Sequence, residues 1–398
     1  MLELIINKQN NEENIILIEN GKIIETYLSS ETDNTRRLEG NIYVAQVGDV
    51  VNGMQAAFVD FGEIKKGFIH LKDAIPQIDE TKEKLDEALE ISKVIKVKQK
   101  ILIQVKKDSD GTKGARVSTH ISLPGKHIVL MPNTSIITIS QKIEREEKKK
   151  ELKDLITSLL PVNFGAIVRT SAENVKAEDI KKDLEKLLDI WKNIKLKFNK
   201  STDKPKLIWK SENIQEKIIT DLSSKNLTQI ITNDKEEYDN LSKNYKTEKI
   251  KIILDNQNDL LERYQLRKQI EKLQERKIWL NCGGFITIDK TEALTAIDVN
   301  TGKFTGKKDL ESTLFKVNKE ATIEIAKQLR LRDIGGIIII DYIDMHEEEN
   351  KKKIVDLLKE ELKKDRAKTQ VEGFTKLNLM EMTRKHICGH LNGQIFLQ

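Results

Sequence analysis

Cysteine is almost absent from this chain. Its 398 residues include two, Cys282 and Cys388, which excludes a disulfide framework and favours a reducing compartment. No apolar run reaches about 18 residues, so no segment reads as a membrane span. The opening MLELIINKQNNEEN lacks the basic-then-apolar order of a secretion signal. A large excess of one charge is also missing: 69 Lys+Arg stand against 64 Asp+Glu, a net charge of +5. That balance permits nucleic-acid binding without demanding it, because clustering matters more than the sum. With 38% hydrophobic and 33% charged residues, the expectation is a folded cytoplasmic protein with a large solvated surface.

The hydrophobic pattern divides the chain. LELIIN, NIILIEN and GKIIETYLS read as short strands, and Asn20-Gly21 is a hairpin signal between the second and third. From Leu38, GNIYVAQVGDVVNGMQAAFVDFGEIKKGFIHL alternates through Gly-rich turns as a small barrel does, and a charged helix over DETKEKLDEALEISKVI precedes the strand QKILIQVKKD. QKIEREEKKKELKDLITSLLP reads as an amphipathic helix. Ile180, Leu184, Leu187, Leu188, Trp191 and Ile194 recur at helical spacing. The pattern predicts a long helix over roughly 257–278. GGFITIDKTEALTAIDVN then gives two strands, and residues 310–332 a helix with Asp309 as N-cap. Ile337 to Ile340 form a continuous apolar run, expected to be buried on both faces.

Two carboxylates close apolar strands: Asp298 follows LTAI and Asp341 follows IIII. Ligands of open α/β sheets gather at strand ends. Mg2+ takes one or two carboxylates, completing its shell with water and substrate phosphate. A metal held there would polarise a phosphoryl oxygen. Asn300, two residues beyond Asp298, would point to the same side of a continuing strand. Asp344 is a rival ligand, and Lys303, Lys307 and Lys308 flank the site. Asp is also common after a strand as a turn residue or cap, and the pattern alone leaves both readings open.

LTAIDVNTGKFTGKKDLESTLFKVNKEATIEIAKQLRLRDIGGIIIIDYIDM closely resembles the catalytic segment of the ribonuclease E/G family, closest to its compact ribonuclease G-type members. RRLEGNIYVAQVGDVVNGMQAAFVDFGEIKKGFIHL, GTKGARVSTHISLPGKHIVLMP, AIVRT and LNLMEMTRK extend the likeness in the family's order, most weakly over about 200–255. The resemblance implies a multidomain α/β protein. An RNase H-like region (1–36 and 214–280) would be split by an OB-type barrel (37–124) and a 5′-sensor region (125–213). A DNase I-like catalytic region (281–385) and a tail (386–398) would follow. It implies an endoribonuclease of single-stranded, A/U-rich RNA in RNA processing and mRNA turnover, stimulated by a 5′-monophosphate and leaving 5′-phosphate and 3′-hydroxyl ends. Asp298 and Asp341 would coordinate Mg2+ and Asn300 assist at the scissile phosphate.

In MQAAFVDFG, inward Ala57, Val59 and Phe61 would leave Phe58 exposed; the opposite assignment makes Phe58 core. The resemblance implies that Phe58 and Phe68 stack on bases and that Lys113 touches phosphate. It likewise implies 5′-phosphate sensing by Gly125, Val129, Arg169 and Thr170, where Arg169-Thr170 would otherwise read as an ordinary strand end. One departure stands out. The family's Cys-x-x-Cys zinc link between two copies is reduced to KHICGHLNG, with Cys388 between His386 and His390. Zn2+ at Cys388 and a homodimer stay open; the family's larger assembly is not expected. The rival readings are a non-catalytic RNA-binding regulator and a DNA nuclease.

Overall fold

A computed structural model describes residues 1–9, 12–28, 38–74, 90–109, 114–211, 214–222, 227–245, 250–302 and 310–387. Two compact units result, one formed by Met1–Asn34 with Leu222–Gln398 and the other by Thr35–Asp221.

The first unit holds two sheets. One has five strands in the order Lys251–Leu254, Leu227–Thr232, Leu2–Gln9, Glu12–Glu19, Lys22–Leu28. Leu2–Gln9 runs antiparallel to Glu12–Glu19 and parallel to Leu227–Thr232, with Leu4 opposite Ile230 and Ile6 opposite Thr232. Leu4, Ile5 and Ile6 are fully buried, as a central strand requires. Asn20 and Gly21 both have positive φ, +50° and +77°, which is the backbone of the tight hairpin turn expected of Asn-Gly.

The long helix expected over 257–278 is instead two short ones, Leu260–Arg263 and Arg267–Lys272, followed by a strand at Lys277–Trp279. Asp259 caps the first by accepting hydrogen bonds from Leu261 N and Glu262 N. Gln265 is left-handed, φ +56°, and re-aims the chain so that Leu260, Leu261, Leu266 and Leu273 all enter the core beneath the five-stranded sheet. A straight helix cannot bury those four leucines on one side, so packing overrides local propensity.

The second sheet has six strands in the order Lys277–Trp279, Phe285–Lys290, Leu294–Asn300, Gly336–Asp341, Leu379–Arg384, Thr369–Phe374. Helices Leu310–Leu331 and Glu348–Leu362 contribute Val317, Ala321, Ile325, Leu329, Ile354 and Leu358 to its core. Against them pack Ile286, Ile297, Val299, Ile338, Ile340, Met380 and Met382. The apolar run Ile337–Ile340 is therefore buried on one face only: Ile338 and Ile340 are inaccessible whereas Ile337 is 51% exposed. A run of four isoleucines hides the period-two burial because both faces carry the same residue.

In the second unit Ile42–Val51, Ala56–Asp60, Gly67–His70, Arg116–Ser118 and Lys100–Lys107 follow one another around a ring. The first and last also pair, Val44 opposite Leu102, closing a five-stranded barrel. It fits the OB-type barrel expected there. Lys206–Trp209 adds a strand to Ile42–Val51. The expected charged helix is described only at Ile91–Val94, its remainder lying outside the described residues. A four-stranded sheet, in the order Ile137–Ile139, Gly165–Val168, Ile128–Met131, Leu123–Pro124, completes the unit. Helices Glu146–Leu159 and Ala177–Lys200 belong to its core through Leu152, Ile156, Ile180, Leu184, Leu187, Trp191 and Ile194.

Candidate active site

Asp298 and Asp341 are direct partners in the parallel pairing of Leu294–Asn300 with Gly336–Asp341. Adjacent strands lie about 4.8 Å apart, so the two Cα atoms are separated by little more than one strand spacing. Alternation sends Ile297, Val299 and Ile340 into the core and both aspartates to the opposite, open face, where they are exposed. The strand continues to Asn300, on the same face, and Asn300 Nδ2 donates to Asp298 Oδ2 at 2.5 Å. That end of the strand is held by close backbone packing. A Cβ on Gly302 (φ +60°) would lie 2.4 Å from Gly283 O, and one on Gly284 would lie 2.8 Å from Asn300 O. Glycine is required at both.

Partial desolvation raises the pKa of the exposed Asp341 above its ordinary value, and the charges of Asp298 and Asp344 raise it further. Asp344 is exposed and accepts a 3.4 Å hydrogen bond from Asn378 Nδ2. Among the described residues no group of three or more His, Cys, Asp or Glu is placed to hold a metal, so Asp344 does not complete a three-carboxylate cage. Two oxygen-donor side chains with room around them still match Mg2+, which keeps several waters and binds substrate phosphate directly. Lys303, Lys307 and Lys308 lie outside the described residues.

On the barrel, Ala57, Val59 and Phe61 point inward with 0%, 0% and 1% exposure, which leaves Phe58 on the outer face. Phe68 is its cross-strand partner, and their rings meet edge to face at 5.8 Å. Both rings are half-buried. Lys113 lies outside the described residues.

Gly125, Val129, Arg169 and Thr170 come from neighbouring segments of the four-stranded sheet. Arg169 N donates to His127 O, and its Nη1 donates to Gly125 O at 2.7 Å. Its Nη2 is paired with Asp221. The Thr170 hydroxyl shares a 2.9 Å hydrogen bond with Ser140 Oγ. Val129 lies in the strand Ile128–Met131, opposite Ile167 and Pro124. Gly125 has a steric reason: a Cβ there would stand 2.7 Å from Asp183 Oδ2 and 2.8 Å from Leu187. Asp183 reaches across from its helix to accept from Lys126 N, His127 N and Ile128 N at 3.1, 2.7 and 3.2 Å.

Sequence reasoning missed Asp183 and Asp221, which fix the loop and the arginine. Neither carries a local signal, since each meets its partners only in the tertiary structure. It also missed a row on the open face of the six-stranded sheet. Arg276 pairs with Asp289 there and holds that carboxyl below its ordinary pKa. Lys277, Trp279 and Phe285 pack together beside them. The alternation of Trp279 with Ile278 was the available cue.

Cys388 and His390 lie outside the described residues. His386 is half-buried, its Nδ1 2.8 Å from Asp333 O, and burial lowers its pKa. No helix among the described residues is long and apolar enough to cross a membrane.

Comparison with known proteins shows the family. A model of the ribonuclease E/G family matches residues 122–387. The chain is 37% identical to ribonuclease G of Haemophilus influenzae over 393 residues, covering 96% of this chain and 79% of that protein. It is 36% identical to ribonuclease G of Escherichia coli over 392 residues, with the same coverage. Against ribonuclease E of Buchnera aphidicola subsp. Schizaphis graminum the identity is 33% over 401 residues, covering 98% of this chain and 41% of that one.

Proposed function

Because the chain belongs to the ribonuclease E/G family, we propose that it is a Mg2+-dependent endoribonuclease that cuts single-stranded RNA at Asp298 and Asp341. The observation that supports this most is the in-register placement of the two aspartates on one open sheet face, with Asn300 bonded to the first. Two adjacent carboxylates without a paired cation repel each other, and a divalent ion between them removes that cost. When bound, Mg2+ would neutralise charge developing on the phosphate and favour in-line attack by water.

The protein's own groups do the positioning. Asn300 has two amide protons. One is given to Asp298 and fixes that carboxylate's rotamer; the other is available to a non-bridging phosphate oxygen. The open face admits an extended strand, whereas a duplex keeps its phosphates on a rigid cylinder. Phe58 and Phe68 grip bases by stacking, worth roughly 1–3 kcal/mol per base whatever the sequence, and Lys113 supplies charge. Arg169, Thr170, Gly125 and Val129 receive a 5′-monophosphate. Arg169 turns from a carboxylate, Asp221, to a phosphate, which exchanges one charge-assisted pair for another. The products carry 5′-phosphate and 3′-hydroxyl ends.

The test is incubation of 5′-monophosphorylated single-stranded RNA, and DNA of the same sequence, with and without Mg2+. Cleavage of RNA by the wild type but not by Asp298→Asn is expected. Uncut RNA in both sinks the enzyme reading, and equal cutting of DNA sinks the RNA assignment.

A further inference from the structure

The open face beside the aspartates carries an aromatic and cationic cluster that the proposed chemistry does not use. Lys277, Thr287, Asp298 and Asp341 form one continuous row of strand partners, and Trp279, Phe285 and Asn300 form the next. Trp279 is 59% exposed although large and apolar. It meets Phe285 edge to face at 5.3 Å. Lys277 Nζ lies 4.2 Å from the Trp279 ring centre and 3.6 Å from that of Phe285. Two strand spacings, about 10 Å, separate Trp279 from Asn300 and Lys277 from Asp298.

From this we infer that Trp279 and Lys277 form a nucleotide subsite on the catalytic face, which takes the base and phosphate of a residue flanking the cleaved bond. The inference rests on the reading of Asp298 and Asp341 as the cleavage site. Trp279 presents the ring on which a base stacks. Phe285 buttresses it from the sheet side. Lys277, already held against both rings, places one positive charge beside them for the adjoining phosphate. An exposed aromatic with a neighbouring cation is the composition that binds single strands without regard to sequence. The row also offers a path: RNA whose scissile phosphate lies at Asp298 and which runs along the rows toward this sheet edge passes Phe285 and reaches Trp279. The charge of Lys277 is complementary to an RNA phosphate.

The experiment uses the full chain and a single-stranded RNA with a 5′-hydroxyl and 5-iodouridine placed at successive positions around one cleavage site. Irradiated without Mg2+, iodouracil couples to an aromatic ring stacked on it. A crosslink within 277–285 at one or two positions is expected, lost in Trp279→Ala and kept in Trp279→Phe. With Mg2+, Trp279→Ala should lower kcat/KM roughly five- to a hundredfold, the loss of one base stack, with an unchanged unfolding midpoint. No crosslink in 277–285, or an unchanged kcat/KM, overturns the subsite. If the wild type does not cut at all, the nuclease reading fails and the crosslink alone decides the subsite. A shift in sedimentation for Trp279→Ala without any crosslink overturns it in favour of contact with a second copy.

Discussion

Replacing Asp298 by Asn should abolish cleavage and, in the absence of metal, stabilise the protein. The two carboxylates stand on partner residues of adjacent strands, about 5 Å apart at their backbones. At that separation and a water-like dielectric, two unit charges repel by about 0.8 kcal/mol. Both are exposed, so the high-dielectric value applies and about 1 kcal/mol is the scale. For a unit of this size that corresponds to about 2–4 °C in Tm. The amide keeps an oxygen for Asn300 Nδ2, so the bond at the strand end survives. The sign with pH follows from Asp341. Its native pKa is raised by partial desolvation, then by Asp298 and Asp344, so the folded state holds the proton more tightly than the unfolded chain. Wild-type stability therefore falls as pH rises from the ordinary carboxylate range through the raised pKa. The gap between variant and wild type should open over that window and persist to neutrality. In 1 M salt, where screening acts over about 3 Å, it should close. Added Mg2+ should reverse the order, because only the wild type gains binding free energy, about 2.7 kcal/mol at a hundred times Kd. Differential scanning calorimetry in EDTA, then in Mg2+, measures all of this. An Asp298→Asn protein that melts below wild type in EDTA at neutral pH and low salt would refute the repulsion argument; so would an equal Mg2+ shift in both.

Three further outcomes are expected. Phe68→Ala should raise KM roughly five- to a hundredfold with little change in kcat, because it removes stacking that ground and transition states share; steady-state cleavage of a short RNA checks this, and a loss confined to kcat would contradict it. Arg169→Gln should bring the ratio of rates on 5′-monophosphate and 5′-hydroxyl RNA towards one, and a preserved ratio would remove Arg169 from end sensing. Arg384 is fully buried between Asp333 and Asp365, at 2.7 Å from each, so Arg384→Leu strands two buried carboxylates and should cost about 3–5 kcal/mol in urea unfolding; a cost under about 1 kcal/mol would mean those carboxylates are solvated or protonated.

What the sequence made legible was local. The Asn20-Gly21 turn, the alternation around Phe58 and the helical spacing from Ile180 to Ile194 each write their structure into neighbouring residues, and the structure follows them. Strand period put Asp298 and Asn300 on one face, and the structure pairs Asp298 with Asp341 on the next strand. Features set by distant partners were not legible. Gln265 breaks the helix so that Leu266 and Leu273 can be buried against a sheet from elsewhere in the chain. Four isoleucines gave no sign of which face is covered. Closure of the barrel depends on Val44 meeting Leu102. Asp183 and Asp221 act on Gly125 and Arg169 across 58 and 52 positions, and no window of sequence shows that.

The five-stranded sheet also imposes an order on synthesis. Its middle strand, Leu2–Gln9, leaves the ribosome ahead of its parallel neighbour Leu227–Thr232, which comes more than two hundred residues later. At about 5–20 residues per second that is a wait of roughly ten to forty seconds. During it the meander leaves the edge of Leu2–Gln9 unpaired and exposes its row Leu4, Ile5, Ile6, the type of surface that pairs with other chains. Residues 35–221 are complete before the wait ends. The nascent chain thus carries a finished barrel and an unfinished sheet together, and the six-stranded sheet assembled from residues 277–384 forms after the barrel.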